Sequence, residues 1–316
     1  MYTIILTTEL DKTTDIVIDW LKHFNTKVIR LNTENYIEII NFDLSGNISS
    51  LKIKTKEKYF EIKSNDIYTF WYRKGRFKHN WEENNQNDSE LIKNYLLNEW
   101  SSFNSFLIKW LSVNSQKYLG EYYFNEINKL ELLMYAQQCG FKLPTTLIVD
   151  NKDDFDRNKI NPKISKPLQN SLHILSDSGY YITRNVRLSG DLKINSNFFP
   201  SLVQQEIDKK IEIKVFFLGH KLYPMAIMSK ESILVDMKEN SSSNLYYLPF
   251  KLKKEVSDML KKLITKTNLK IGTIDLIYSK KSEYFFLEIN PAGQFGDISS
   301  YCNYNLEYEV AKYLKV

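Results

Sequence analysis

The most informative segment of this sequence is Glu283-Tyr-Phe-Phe-Leu-Glu-Ile-Asn-Pro-Ala-Gly-Gln-Phe-Gly-Asp297. Successive side chains of a strand point to opposite faces. Three side chains are therefore predicted to enter a core: Phe285, Leu287 and Ile289. Four are predicted to share the other face: Tyr284, Phe286, Glu288 and Asn290. Because Pro291 ends the ladder, Glu288 and Asn290 are expected at a strand end beside a loop, where functional sites are often built.

A second strand, residues 272–278, precedes this one and is joined to it by the polar turn 279–283. With a four-residue turn Asp275 falls opposite Glu288, and with a five-residue turn it falls opposite Leu287. Facing residues of a hairpin lie roughly 5 Å apart. Either register therefore brings the two carboxylates near each other.

Two carboxylates and a carboxamide form an oxygen-rich set on this hairpin: Asp275, Glu288 and Asn290. Mg²⁺ is a hard ion that takes oxygen ligands and shares them with substrate phosphates. The pattern therefore predicts a magnesium site. The alternative is an ordinary amphipathic hairpin with a polar outer face, because acidic side chains are common on exposed surfaces.

The composition is that of a globular protein with two or three domains, since the 316 residues are 43% hydrophobic and 14% aromatic. No apolar run approaches the roughly 18 residues of a membrane span, and residues 1–7 read as a strand instead of a leader. Two cysteines, Cys139 and Cys302, are too few for a disulfide framework and lack a paired metal spacing. We therefore expect a cytoplasmic protein with reduced thiols and no membrane partner.

The formal net charge of +5 favours acidic partners, a class that includes nucleotides, acidic peptides and nucleic acids. The lysines are scattered through the chain, so charge alone does not select among them. Nucleic acid is disfavoured as a partner, because the aromatic residues follow core periodicity and do not interleave with Arg and Lys on one face.

The first 120 residues predict a small α/β domain. A strand at residues 2–7, a helix at 14–24 and a strand at 28–31 form a βαβ pattern, and a hairpin follows. The aromatic strand that starts at residue 67 runs into Arg73 and Arg76, which we interpret as solvated charges after a core strand in preference to ligand contacts. Residues 89–111 predict a long helix whose aromatic stripe is typical of a core or a dimer surface.

After residue 120 the pattern predicts an α+β region of antiparallel sheets with helices on one side. Two helices are expected, at residues 125–138 and 251–267. Six further strands are expected between them: 163–167, 180–183, 201–207, 212–217, 221–228 and 233–236.

Several short motifs follow one another along the chain: Lys166-Pro167, residues 204–208, 212–216 and 272–275, and the stretch Phe286-Leu-Glu-Ile-Asn-Pro-Ala-Gly-Gln-Phe295. In this order they resemble the ATP-grasp ligases, and most closely the graspetide synthetases of the grasp-with-spasm type. The resemblance also includes residues 70–75, 217–229 and the tail 302–307, and so it covers most of the chain.

The resemblance implies two α+β lobes that clamp ATP, residues 121–205 and 206–316, behind a pre-ATP-grasp α/β domain at residues 1–120. It implies an ATP- and Mg²⁺-dependent ligase that acts on a ribosomal precursor peptide with a leader and a core. Such enzymes phosphorylate an Asp or Glu side chain, which a Ser or Thr hydroxyl or a Lys amine then attacks to close an ester or amide ring. A homodimer is also implied.

The resemblance further assigns roles to individual residues. Asp275, Glu288 and Asn290 are expected to hold magnesium, and Lys166 to reach a phosphate. The nucleotide-binding strand end is expected to comprise Gln204, Gln205, Glu206, Ile207 and Asp208, with residues 205–207 along the adenine and Asp208 at the ribose.

Four residues are expected in the catalytic region by the same resemblance: Glu212, Lys214, Asp236 and Lys238. Family members usually carry arginine where this chain has Lys214 and Lys238. Lysine keeps the positive charge but loses the planar fork that binds a phosphate or carboxylate through two bonds. Three readings stay open: catalysis is slower here, the chain binds its peptide and nucleotide without completing the ring, or the sites tolerate lysine.

Two other functions remain open at this point. One is an ATP-grasp ligase that joins a small amine to an acid, and the other is a non-catalytic partner that binds nucleotide and peptide. The three differ in what triggers ADP release: the precursor peptide, a small amine, or nothing.

Overall fold

The structure is a computed structural model. It describes residues 1–56, 58–81, 89–122, 128–158, 160, 162–168, 173–176, 179–182, 185–188, 195–229 and 245–316, with the backbone alone at 173–176 and 179–182. The chain divides into two compact units. Unit 1 contains Met1–Asn125 and Pro291–Val316, and unit 2 contains Glu126–Asn290.

Unit 1 holds a parallel sheet in the strand order β2-β1-β6-β7 and an antiparallel sheet in the order β3-β4-β5. Its strands are β1 (Tyr2–Thr7), β2 (Val28–Asn32), β3 (Glu38–Asp43), β4 (Ser50–Lys54), β5 (Tyr59–Lys63), β6 (Ile67–Tyr72) and β7 (Lys117–Leu119). Its helices are α1 (Lys12–His23), α2 (Glu90–Asn114), α6 (Gly296–Cys302) and α7 (Leu306–Leu314). The predicted βαβ opening and long helix are both present.

The core of unit 1 forms around β1, whose central residues Ile4, Ile5 and Leu6 are fully buried. A central strand of a parallel sheet is covered on both faces and so reads as a continuous apolar run. The C-terminal helix α7 is bonded to this sheet, because the buried hydroxyls of Thr3 and Thr69 both donate to the carbonyl oxygen of Leu314 at 3.0 Å. The end of the chain therefore completes the N-terminal unit.

Unit 2 is built from antiparallel sheets, as the sequence predicts. A five-stranded sheet has the order β16-β15-β14-β17-β18, a four-stranded sheet has the order β12-β9-β13-β8, and β10 pairs with β11. The strands are β8 (Thr146–Asn151), β9 (Lys163–Lys166), β10 (His173–Ser176), β11 (Gly179–Ile182), β12 (Val186–Leu188), β13 (Asn197–Gln205), β14 (Lys209–Leu218), β15 (Lys221–Ser229), β16 (Leu245–Pro249), β17 (Ile271–Ser279) and β18 (Tyr284–Asn290). The helices are α3 (Lys129–Gln138), α4 (Lys152–Arg157) and α5 (Lys254–Thr267).

Helix α5 is amphipathic and buries one of its faces. Val256, Leu260, Leu263 and Ile264 recur at three- and four-residue steps and are all buried, whereas the lysines between them are exposed.

The predicted division into lobes at residues 120 and 205 stays a prediction. Residues 291–316, assigned to the second lobe by that division, pack in unit 1.

Candidate active site

The hairpin of β17 and β18 places Asp275 directly opposite Glu288. The register near the turn would not do this, since Tyr278 pairs with Tyr284 and Leu276 with Phe286. Continued without interruption, that register would put Leu287 opposite Asp275. One extra residue in β18, a β-bulge at Leu287, restores the pairing of the two carboxylates.

The bulge also explains why the burial of side chains in β18 differs from the prediction. Phe286 was expected on the polar face but is fully buried, and Ile289 is buried as expected. Phe285 and Leu287, predicted to lie in the core, are only half-buried. The prediction for these side chains is wrong because it assumed unbroken alternation, whereas the bulge at Leu287 inverts the faces of the residues before it relative to those after it.

Asn290 ends β18 opposite Thr273, in the pairing step next to that of Ile289. The approach of the two strands is close here: a Cβ at Gly272 would lie 2.8 Å from the carbonyl oxygen of Asn290 and 2.9 Å from the ring of Phe217. No larger residue fits without displacing one of them. Gly272 thus sets the position of Asn290 in the sheet.

Lys214 extends the carboxylate pair into a row of three, because β14 pairs Lys214 with Asp275 and β18 pairs Asp275 with Glu288. The Lys214 Nζ atom lies 3.6 Å from Asp275 Oδ1, and both side chains are 27% exposed. Glu212, two residues earlier on the same face, pairs with Lys209 at 2.5 Å. The ammonium group of Lys214 therefore lies beside the carboxylates of Asp275 and Glu288, where it could also attract a phosphate oxygen.

The donor set suits magnesium in its chemistry. Among the residues that the structure describes, no group of three or more His, Cys, Asp or Glu is arranged to hold a metal. A third oxygen ligand must therefore come from another residue type, and the amide oxygen of Asn290 lies on the same strand as Glu288. Asp275, Glu288 and Asn290 stay predicted ligands, aligned by strand register.

The predicted nucleotide-binding strand end follows β13. The amide of Gln205 donates to the carbonyl of Thr145 at 2.8 Å, and the amide of Glu206 donates to that of Pro162 at 2.9 Å. These two amides are thus already used within the protein. The edge of a base would therefore have to hydrogen-bond with the backbone carbonyls of this segment and with the backbone of Ile207. The Ile207 side chain itself is buried.

The side chains of this segment differ in what they contact. Gln204 is 2% exposed and donates to Thr146 Oγ1 at 2.9 Å. Glu206 accepts from the Arg187 guanidinium at 2.7 Å. Asp208 is 71% exposed and pairs with Lys280 Nζ at 2.9 Å, which ties the β17–β18 turn to the end of β13.

Lys166 ends β9, beside Leu202 of β13, and is half-buried. Its predicted contact with phosphate stays a prediction. Of the four predicted catalytic residues, Asp236 and Lys238 lie outside the described residues. The other two, Glu212 and Lys214, lie on the same face of β14.

The sequence did not predict that Arg73 makes buried polar contacts within the protein. This side chain is 3% exposed, and its guanidinium donates to the Ala292 carbonyl at 2.8 Å and to Gln294 Oε1 at 3.0 Å. Its Nε lies 3.3 Å from Asp11 Oδ2. Arg73 is therefore an internal anchor of unit 1 and not a solvated charge. The co-occurrence of the two motifs 70–75 and 293–295 was the available signal, because they are in contact.

Asp11 is the acidic centre of this anchor. It caps α1 through the amide of Thr14 and lies 3.3 Å from Lys74 Nζ. Burial alone would raise the pKa of Asp11, but the charges of Arg73 and Lys74, with hydrogen bonds from two threonines, lower it below the ordinary 3.8. The carboxylate is therefore ionised whenever the unit is folded near neutral pH.

Comparisons with known proteins agree on the fold. A family model described as the MvdD pre-ATP grasp domain matches residues 3–113. A RiPP-associated ATP-grasp ligase from Chryseobacterium gregarium, solved with ADP and a leader and core peptide, has a TM-score of 0.79 at 22% identity, covering 99% of this chain and 96% of its own. The macrocyclase MdnC from Microcystis aeruginosa MRC, bound with its precursor peptide MdnA, has a TM-score of 0.79 at 20% identity, covering 99% of both chains.

Another solved structure, the ATP-grasp ligase PsnB complexed with a minimal precursor, Mg and ADP, has a TM-score of 0.70 at 14% identity, covering 99% of this chain and 96% of its own. No curated protein sequence matches this chain. Within the described residues, no helix combines the length and apolar character needed to cross a bilayer. Residues 3–113 match the pre-ATP-grasp domain, and the chain has the fold of the solved ATP-grasp ligases.

Proposed function

We propose that this chain is an ATP-dependent, magnesium-requiring macrocyclase of a ribosomal precursor peptide. The observation that carries the proposal is the row of Lys214, Asp275 and Glu288, which lie in register on three adjacent strands, with the bulge at Leu287 setting Glu288 opposite Asp275. Charged side chains in register on adjacent strands, with Asn290 at the end of the strand that carries Glu288, support a phosphate-handling site. The solved structures of the same fold include ligases crystallised with precursor peptides.

The chemistry has two steps. A carboxylate oxygen of a peptide Asp or Glu attacks the γ-phosphorus of ATP, the bond to the bridging oxygen breaks, and ADP leaves. A Ser or Thr hydroxyl, or a Lys amine, then attacks the acyl carbon; phosphate leaves with one carboxylate oxygen and the nucleophile loses its proton. The first step is needed because a carboxylate has no good leaving group.

This chain's residues would bind and orient the reactants. Asp275, Glu288 and Asn290 would hold Mg²⁺, which neutralises charge on phosphate oxygens. Lys214 and Lys166 would attract phosphate or carboxylate oxygens as point charges. Residues 205–207 would border the adenine, and Asp208 would have to exchange Lys280 for a ribose hydroxyl.

A ligase acting on a small amine is the second candidate. D-cycloserine synthetase DcsG has a TM-score of 0.54 at 13% identity to this chain, covering 99% of it, which is a weaker likeness than those of the peptide-bound ligases. A non-catalytic binding partner is the third, since lysine stands at Lys214 where the implied family pattern has arginine.

The test is incubation of the purified protein with ATP, Mg²⁺ and the short peptide encoded beside its gene. We expect ADP release that depends on the peptide, and a peptide mass lowered by one water per bond formed. ADP release triggered by small amines alone would identify the second candidate. Nucleotide binding with neither product would identify the third.

A homodimer in the cytoplasm completes the proposal. The first half of α2 exposes apolar side chains, with Leu91 at 81% and Tyr95 at 61% exposure, and exposed apolar patches commonly mark interfaces. Light scattering should give twice the monomer mass, and Leu91→Lys with Tyr95→Lys should give a monomer. Dependence on ATP supports the cytoplasmic location.

A further inference from the structure

Unit 1 contains a cavity of about 470 Å³ that the proposed chemistry does not use. It is lined by α1, by every residue of β2 and by the segment before β5. Its volume lies within the range of about 300–1,000 Å³ that is typical of ligand pockets. The part of the wall supplied by β2 is a strand edge.

Strand β2 is the last strand of its sheet and pairs with β1 on one side only. The carbonyl of Lys27 accepts from Thr3, and the amide of Thr33 donates to Thr7. Because parallel strands use alternate residues for each neighbour, the amides and carbonyls of Val28 and Arg30 point away from β1. Within the described part of the chain, no backbone group bonds to them.

The walls beside this edge are mixed in character. Apolar surface comes from Ile18, Leu31 and Phe60, and charge comes from Lys58 and from two ion pairs within the protein, Asp15 with Arg30 and Asp19 with Lys22. Lys58 is exposed, and among the described residues no acidic side chain pairs with it. Arg30 is already committed, because its guanidinium binds Asp15 and two backbone carbonyls.

An open edge with outward amides and carbonyls, facing a cavity, is suited to one kind of ligand. An extended peptide can add to the edge as a further strand, with its main chain giving affinity and alternate side chains giving specificity. We propose that β2 and this cavity bind an extended segment of the substrate peptide that carries one apolar and one acidic side chain, the acid facing Lys58. The identity of the peptide rests on the proposed function, whereas the strand-addition site does not.

The test uses fluorescein-labelled overlapping segments of the peptide encoded beside the gene, with binding followed by fluorescence anisotropy. Val28→Pro removes the outward amide, which an edge strand tolerates, and should weaken the best segment at least about tenfold. Val28→Ala keeps that amide and should bind within about threefold of the parent. Equal weakening by both variants would overturn the proposal.

A variant at an exposed position tests the same site in case Val28→Pro fails to fold. Lys58→Glu changes an exposed side chain and should weaken the same segment about five- to tenfold at low salt, with the difference reduced at high salt. Lys63→Glu, an exposed lysine at the end of β5, is the matched control and should leave binding unchanged. Circular dichroism should show equal folding for all four variants.

Hydrogen exchange separates this proposal from the proposed function. The amides of Val28 and Arg30 should be protected when the segment binds, with or without ATP. Protection without ring formation would leave the strand-addition site intact while ending the macrocyclase proposal. Ring formation with no protection at β2 and no effect of Val28→Pro would end the strand-addition site alone.

Discussion

Two charged clusters of this molecule use similar side chains in opposite ways. In unit 1 the guanidinium of Arg73 is buried, and its partners Ala292, Gln294 and Asp11 all come from the same unit. In unit 2 Lys214 and Asp275 are each 27% exposed, 3.6 Å apart, in a row that ends at Glu288. A buried charge must be satisfied by the protein itself, so the first cluster contributes to folding. The second keeps contact with solvent and can exchange partners with a ligand.

The largest expected effect is on the second cluster. Glu288→Gln removes a predicted metal ligand without changing shape, and several kcal/mol of transition-state stabilisation correspond to a loss of at least about 100-fold in turnover. Magnesium-dependent ADP release measures this. Glu283→Gln, which loses only a partly exposed pair with Lys142, is the control and should retain activity. Unchanged turnover in Glu288→Gln would remove Glu288 from the metal site.

Breaking the first cluster should act on stability. Arg73→Met leaves Asp11 buried with Lys74 as its cationic partner and the hydrogen bonds from Thr7 and Thr14, so we expect the lower end of the cost of breaking a buried pair, about 3 kcal/mol. The melting temperature of unit 1 should fall by roughly 10 °C. Arg157→Met breaks an exposed pair and should leave the melting temperature unchanged. Adding Asp11→Asn to Arg73→Met should recover part of the loss; no recovery would mean that the pair is not coupled.

Gly272→Ala tests whether packing sets the position of Asn290. The new methyl group would meet the Asn290 carbonyl oxygen at 2.8 Å, and overpacking of this kind costs about 1–3 kcal/mol. Displacing Asn290 should raise the Mg²⁺ concentration needed for half-maximal ADP release about tenfold. Gly46→Ala, where the nearest atoms lie 3.9 Å from the new methyl group, should change neither quantity.

The pH dependence of stability should report the first cluster. The pKa of Asp11 is lower in the folded state than its ordinary 3.8, so the folded state binds fewer protons at this site than the unfolded state. Its contribution is complete above the unfolded pKa and is lost as the pH falls through the folded pKa. Thermal melting should show a steeper decline below about pH 4 in the parent than in Asp11→Asn. Parallel curves would contradict this origin of the acid sensitivity.

The smallest effects come from exchanging the two cations. Lys214→Arg keeps the charge of a partly exposed pair, so turnover should change by less than about fivefold, as expected for about 0–1 kcal/mol. Arg73→Lys should lower the melting temperature, because one ammonium group cannot reach the partners of a planar fork. A larger loss of activity in Lys214→Arg would show that lysine is required there for its own geometry.

Much of this organisation could be predicted from the sequence. The strand that carries Glu288 and Asn290, its partner that carries Asp275, and the antiparallel sheet around them follow from alternation and turn residues. The burial of Phe286 could not be predicted, because a bulge leaves no mark in local alternation. The role of Arg73 was also missed, since its partners Asp11 and Ala292 are distant in the chain.

The order and type of residues alone were enough to identify which functional groups are present: oxygen-bearing side chains on a hairpin, lysines in place of arginines, and the order of motifs typical of the ATP-grasp fold. Side-chain type and short-range periodicity fix these features. Which residues meet is visible only in the folded molecule: the bulge that pairs Asp275 with Glu288, the packing of α7 against the first sheet, and the open edge of β2. Those contacts depend on strand register and on residues far apart in the chain, where the energy comes from close packing that no local pattern records.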